Sequence, residues 1–124
     1  MDLIWIGVGG AGGAIARYLV DTSVSSRVGG AFPFGTLVVN VSGSLILGLL
    51  FAMVTERALL PSELRGPAMI GFVGAYTTFS TLMLETWRLV EDGAPALAAA
   101  NAVGSVLLGL VAIVVGLTIG RYLA

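Results

Sequence analysis

The chain has 124 residues, of which 57% are hydrophobic and 10% charged, and its mean hydropathy is +1.03. A soluble domain carries about 25% charged residues, so this composition all but excludes a water-soluble globule, and it excludes disorder, which requires low hydrophobicity. The chain has six arginines, seven acidic residues and a net charge of −1, a balance that argues against a nucleic-acid partner. It has no Cys or His, which argues against disulfides, thiol or imidazole catalysis and the usual zinc sites. We therefore expect a membrane protein, and nothing in this composition points to an enzyme.

Four apolar stretches run roughly over residues 3–20, 34–55, 68–86 and 95–120. Each reaches or approaches the ~20 residues that a helix needs to cross the hydrocarbon core of a bilayer. Lipid offers no water to backbone groups, so a helix is the form that such a stretch takes. The four prolines lie between these stretches or at their first residues, where a helix tolerates them. The sequence predicts an all-α integral membrane protein with one four-helix transmembrane domain over residues 1–124.

Small and polar residues recur every fourth position in the first two spans: Gly9, Gly13 and Arg17, then Thr36, Asn40, Ser44 and Gly48. Small residues at this spacing let helix backbones approach closely in lipid, so the glycines predict a tightly packed bundle. Packing does not explain Asn40, since an amide in mid-span is costly unless it is partnered. Polar groups inside a membrane often mark a transport pathway.

The third span carries four hydroxyl residues within five positions, Thr77, Thr78, Ser80 and Thr81, and two glycines just upstream. Hydroxyl side chains compete with the backbone for hydrogen bonds. We predict that the third helix breaks in mid-membrane, at Gly74, Ala75, Tyr76, Thr77 and Thr78. Unwound backbone at that depth must be buried or line a cavity, and its carbonyls commonly hold a cation. The alternative is a continuous helix whose hydroxyls bond back to their own carbonyls.

The fourth span continues the small and polar pattern with Asn101, Ser105 and Gly109, and then with Gly116 and Gly120. Four thin helices are too few to surround a pathway comfortably, so we expect a homo-oligomer, for which a two-fold dimer is the commonest form. In a four-span chain the arginines divide three against three: Arg57, Arg65 and Arg121 on one side, Arg17, Arg27 and Arg88 on the other. This balance indicates either a chain that inserts in both directions or weak topology signals in a small protein.

Taken together, these segments resemble the Fluc (CrcB) fluoride channels of bacterial membranes over essentially the whole chain. The resemblance rests on Gly9–Tyr18 in the first span, Gly35–Ser44 in the second and Gly71–Thr81, the most specific, in the third. Ser105 and Gly109 in the fourth add weaker support.

The resemblance implies an antiparallel, dual-topology homodimer in the lipid of the bacterial plasma (inner) membrane, with two fluoride pores. It also implies one structural sodium ion at the dimer centre, which is not transported and is held by the backbone carbonyls of Gly74 and Thr77. The family's pore asparagine matches Asn40, and its ion-facing phenylalanine matches Phe79. The polar track of the family matches Ser80, Thr81 and Ser105.

One departure from the family pattern lies three residues after Phe79, where Leu82 stands in place of a second pore phenylalanine. It leaves open whether Leu82 lines the pore. Arg17 either draws anions toward a vestibule or has a structural role, and we favour the structural role. We place Glu85 at a helix-packing contact or at the membrane edge, outside the permeation path.

Two other functions remain open from the residues alone. A small dual-topology, proton-coupled multidrug exporter also has four spans, but it needs a membrane-embedded carboxylate to carry protons. A non-transporting assembly subunit would not need Asn40 or the hydroxyl cluster. The sequence also does not separate a homodimer from a pair with a paralogous partner, although the balanced arginines favour the homodimer.

Overall fold

The structure is a computed structural model, and it describes residues 2–123. Every regular element in this range is helical. In chain order they are α1 (Leu3–Val28), α2 (Phe34–Leu50) with its π-helical continuation Phe51–Glu56, a 3₁₀ turn (Ser62–Leu64), the π-helical segment Arg65–Val73 that runs into α3 (Gly74–Tyr76), α4 (Phe79–Glu91) and α5 (Pro95–Tyr122).

Four helical stretches are long and apolar enough to cross a membrane: Leu3–Val28, Phe34–Glu56, Ser62–Glu91 and Pro95–Tyr122. The prediction of an all-helical chain with four spans is confirmed. The first helix ends at Val28 rather than near residue 20, because the polar residues that follow the apolar stretch continue the helix. It ends where Gly29 and Gly30 take φ values of 67° and 82°, which side chains other than glycine rarely adopt.

Glycines bring α1 into backbone contact with the segment Arg65–Val73. A Cβ atom added at Gly9 would overlap the Pro67 carbonyl oxygen, and one added at Gly13 would overlap the Phe72 carbonyl oxygen. These two glycines lie one helical turn apart on one face of α1. The four-residue spacing in the first span therefore marks a packing surface.

The pair α2 and α5 is packed in the same way. A Cβ atom at Gly48 of α2 would overlap the Ile113 carbonyl oxygen, and one at Gly116 of α5 would overlap the Leu45 carbonyl oxygen. The two helices thus present glycines to each other's backbone. This close approach places the polar residues of both helices, among them Asn40 and Ser105, near the same part of the bundle.

The exterior of the bundle is far more apolar than that of a soluble protein, and its mostly apolar core also holds polar side chains. Thr36 and Asn101 are 2% and 0% exposed, while large apolar side chains cover the outside of the bundle, including Leu107, Leu110, Val111 and Val114 of α5. Lipid tails are as apolar as these side chains, so such an exterior suits a bilayer.

The packing surface of α1 predicts unequal effects for two glycines of the same helix. Gly13→Ala places a methyl group against the Phe72 carbonyl, and we expect it to lower the free energy of unfolding by about 1–3 kcal/mol, as overpacking does. Gly7→Ala is the matched control, because nothing lies within 4 Å of its added Cβ. Thermal unfolding of both variants in detergent tests this expectation, and equal melting temperatures would contradict it.

Candidate functional site: a polar cleft beside an interruption of the third span

Two residues of the third span leave the helical conformation. Thr77 has φ −81° and ψ 157°, and Thr78 has φ −149° and ψ 118°, so both are extended. They separate α3 from α4 and lie at the end of the sequence Gly74–Thr78. The other three residues of that sequence form α3.

Asn40 of α2 pairs with the backbone of Thr78 through two hydrogen bonds. The Thr78 N–H donates to Asn40 Oδ1 at 2.8 Å, and Asn40 Nδ2 donates to the Thr78 carbonyl oxygen at 3.0 Å. The side-chain amide therefore bonds both polar groups of the Thr78 backbone. Since an amide nitrogen carries two N–H groups, Asn40 keeps one donor for another partner.

The interruption redirects two backbone donors away from Gly74 and Thr77. In a continuous α-helix the N–H of Thr78 would bond the Gly74 carbonyl, and the N–H of Thr81 would bond the Thr77 carbonyl. The first donates to Asn40 instead, and the second donates to Thr78 Oγ1 at 3.2 Å. Thr78 is thus the N-cap of α4, and the carbonyls of Gly74 and Thr77 are both released from their helical donors.

Arg17 of α1 contacts the backbone just before Thr77. Its Nε–H donates to the Ala75 carbonyl oxygen at 3.1 Å, at the C-terminal end of α3. A cation is favourable at the C-terminal end of helical backbone. Arg17 also lines a cleft of about 220 Å³ whose other polar lining residues are Tyr18, Asp21, Thr36, Thr78 and Thr81, so one side chain has both a structural contact and a place beside a cavity.

A second cleft, of about 280 Å³, lies beside Thr77 and Thr78 and brings together residues of α2, α4 and α5. It is lined by Asn40, Gly43, Ser44, Leu47, Thr77, Thr78, Phe79, Leu82, Met83, Ser105 and Val106. Phe79 is 74% exposed, whereas Ser105 is 6% exposed. We call this space the polar cleft.

The structure brings together only some of the residues that the sequence predicts for a pore. Asn40, Phe79 and Ser105 line the polar cleft, whereas Thr81 lines the cleft beside Arg17. Ser80 is exposed on α4 next to Phe79. Leu82, whose position the sequence left open, lines the polar cleft.

Other residues of the site have roles that the sequence did not assign. Ser44 and Met83 line the polar cleft; the four-residue spacing from Asn40 marks Ser44, but nothing in the sequence marks Met83. Glu85 is half-buried and accepts a hydrogen bond from Thr36 Oγ1 at 2.5 Å. That contact joins α4 to α2 and agrees with the expectation of a helix-packing role for Glu85.

Four apolar helical stretches around clefts lined by polar groups define a small multi-pass membrane protein. A family model described as "CrcB-like protein, Camphor Resistance (CrcB)" matches residues 4–117. The chain belongs to this family, which confirms the resemblance found in the sequence.

Curated relatives match the chain over nearly its whole length. It is 46% identical over 121 residues to a protein of Magnetococcus marinus named "Fluoride-specific ion channel FluC", with 98% of each chain covered. It is 51% identical over 116 residues to "Fluoride-specific ion channel FluC 2" of Mycobacterium tuberculosis, covering 91% of this chain and 87% of that one. A protein of Solibacter usitatus with the first of these names is 43% identical over 121 residues, covering 98% and 99%.

The contact between Arg17 and Ala75 predicts that this arginine stabilises the fold. Arg17→Met removes the Nε–H donor, and we expect it to lower the free energy of unfolding by about 1.5–3 kcal/mol, the range for a hydrogen bond that involves a charged group. Arg27→Met is the control, because Arg27 is exposed at the end of the same helix. Thermal unfolding in detergent measures the difference, and an Arg17→Met variant as stable as the control would show that the contact contributes little.

Proposed function

We propose that this protein is a fluoride-selective ion channel that exports fluoride passively across the bacterial plasma membrane and so lowers cytoplasmic fluoride. The membership of the CrcB-like family and the names of the relatives support this function. The observation that carries it is the meeting of Asn40, Phe79 and Ser105 in one cleft beside the extended residues of the third span.

The chemistry of the polar cleft suits a small, strongly hydrated anion. A pore for fluoride must replace the water around the ion with neutral hydrogen-bond donors. Asn40 has one N–H left after its bond to Thr78, Ser105 offers an O–H, and the positive edge of the Phe79 ring can face an anion. None of these groups carries a full charge, which allows the ion both to bind and to leave.

The exposure of Phe79 supports a second copy of the chain as the missing wall of the polar cleft. A phenyl ring that is 74% exposed beside polar groups needs a partner if it is to enclose an ion. We propose an antiparallel homodimer in which each copy completes one cleft, giving two pores. The three-against-three division of the arginines supports insertion of the chain in both directions.

We further propose that Thr77 and Thr78 interrupt the third helix in mid-membrane and that the carbonyls of Gly74 and Thr77 hold a structural sodium ion at the dimer centre. The donor set fits, because both carbonyls are released from their helical N–H donors and unwound backbone carbonyls are the oxygens that coordinate Na⁺ inside membranes. When bound, the ion would supply positive charge between two copies of the chain. It is not transported.

Fluoride flux through liposomes that contain only this polypeptide tests the function. We expect passive efflux that does not depend on a proton gradient. Proton-coupled uptake of a cationic drug would support the exporter instead, and no flux of either kind would support an assembly subunit. The names of the relatives do not favour the exporter.

The variant Asn40→Asp tests whether Asn40 lines the pore. A carboxylate offers no N–H to the anion and repels it, so we expect fluoride efflux to fall nearly to the rate of empty liposomes. Thr118→Val is the control, because the Thr118 hydroxyl is exposed on α5 and donates to the Val114 carbonyl of its own helix. Normal efflux through the Asn40→Asp variant would remove Asn40 from the pore.

Removal of sodium tests the dimer. If the carbonyls of Gly74 and Thr77 hold Na⁺ between two copies, purification in a bulky organic cation should raise the fraction of monomer, and sodium added back should lower it. Size-exclusion chromatography with light scattering in detergent measures the two species. A dimer fraction that is the same in both salts would count against the sodium site.

A further inference from the structure

One face of α2 contacts both extended residues of the third span. Asn40 bonds the backbone of Thr78. Gly43, which is buried, lies against the side chain of Thr77, because a Cβ atom added at Gly43 would overlap Thr77 Cγ2. Residues three apart lie on the same face of a helix, so Asn40 and Gly43 form one surface, and each has its own extended residue as a partner.

The hydroxyl group of Thr77 fixes the rotamer of that side chain. Thr77 Oγ1 donates to the Val73 carbonyl oxygen at 3.1 Å, and the Thr77 N–H donates to the same oxygen at 3.0 Å. The hydroxyl and the methyl group are both attached to Cβ, so a rotation about χ1 moves them together. The methyl group therefore cannot turn away from Gly43 unless the hydroxyl gives up its bond to Val73.

Gly43 differs from the glycines that bring regular helices together. A Cβ atom added at Gly48 or Gly116 would overlap a backbone carbonyl oxygen of the facing helix. At Gly43 the nearest atom belongs instead to the side chain of Thr77, a residue with φ −81° and ψ 157°. The missing side chain at position 43 therefore acts on the interruption of the third span.

The peptide group between Thr77 and Thr78 connects this contact to the released carbonyl. None of the peptide bonds is cis among residues 2–123, and in a trans peptide group the C=O and the following N–H point in opposite directions within one plane. The Thr78 N–H donates to Asn40. The Thr77 carbonyl is therefore turned away from Asn40, and its direction depends on where Thr77 is held.

We propose that Gly43 is a positioning residue: its contact with the Thr77 methyl group holds Thr77 extended and so keeps the Thr77 carbonyl available to the sodium ion. Asn40 fixes the peptide group at its Thr78 end, and Gly43 fixes the residue at the other end. This inference rests on the proposed sodium site, and it assigns to the pattern of small residues in α2 a role beyond close helix packing.

Moving one methyl group across the contact tests the proposal. Gly43→Ala adds a methyl group where Thr77 Cγ2 lies, and Thr77→Ser removes Cγ2 while it keeps the hydroxyl. The double variant again has one methyl group in that space. The quantity to measure is the sodium concentration at which half of the protein is dimeric, by size-exclusion chromatography with light scattering at constant protein concentration and ionic strength. Gly7→Ala is the control, because nothing lies within 4 Å of its added Cβ.

We expect Gly43→Ala to raise this sodium concentration by about tenfold, which corresponds to about 1.4 kcal/mol, as one extra methyl group in a packed site can do. Thr77→Ser should raise it by a smaller factor, because the methyl group that holds Thr77 is lost. The double variant should return close to the wild-type value. A glycine that only sets the spacing of α2 would lower the melting temperature without changing the sodium concentration.

The outcomes separate this inference from the proposed function. If the wild-type dimer does not depend on sodium, the sodium site and the role of Gly43 are wrong, while fluoride efflux still decides the channel. If wild type depends on sodium and Gly43→Ala requires no more of it, or if the two single effects multiply in the double variant, only the positioning role is wrong.

The serine background covers the case in which Gly43→Ala does not fold. Thr77→Ser provides the space that the added methyl group needs, so the double variant is expected to fold. Its sodium requirement should be lower than that of Thr77→Ser alone. An equal or higher requirement in the double variant would overturn the proposal.

Discussion

The paired hydrogen bonds between Asn40 and the backbone of Thr78 are the interaction on which the site depends. A helix that crosses a membrane cannot leave backbone groups unpaired without a penalty of several kcal/mol each. The Asn40 amide accepts from the Thr78 N–H, which has no helical acceptor, and donates a second bond to the Thr78 carbonyl. Because Asn40 lies in α2, these bonds also fix the start of α4, and with it Phe79, beside the polar cleft.

Close backbone packing gives that interaction its rigid frame. Glycines of α1 contact the carbonyls of Pro67 and Phe72 and hold the segment before the interruption. Glycines of α2 and α5 allow close backbone packing between those two helices. The Arg17 bond to the Ala75 carbonyl ties α1 to the backbone just before Thr77. The Asn40 bonds tie α2 to Thr78, so both sides of the extended residues are attached to a packed helix.

Local patterns predicted much of this arrangement, and long-range contacts decided the rest. Hydropathy and the position of the prolines predicted four helices, and the hydroxyl cluster pointed to the region where Thr77 and Thr78 are extended. The partner of Asn40 could not be read from the sequence, because Thr78 lies 38 residues away along the chain. The same is true of Arg17 and Ala75, which are 58 residues apart. The first span was predicted to end near residue 20, whereas polar residues continue α1 to Val28.

The two clefts that share Thr78 differ in charge, and this difference bears on how an anion channel can conduct. Arg17 and Asp21 line one cleft, whereas the polar cleft beside it is lined by amide, hydroxyl, aromatic and apolar groups. A full positive charge at the narrow part of a pore would hold fluoride too tightly to release it, and a full negative charge would exclude it. Glu85 lies outside the lining of both clefts, and its hydrogen bond is with Thr36. The fold thus keeps ionised side chains out of the polar cleft and leaves neutral donors there, the distribution that the proposed passage of a strongly hydrated anion requires.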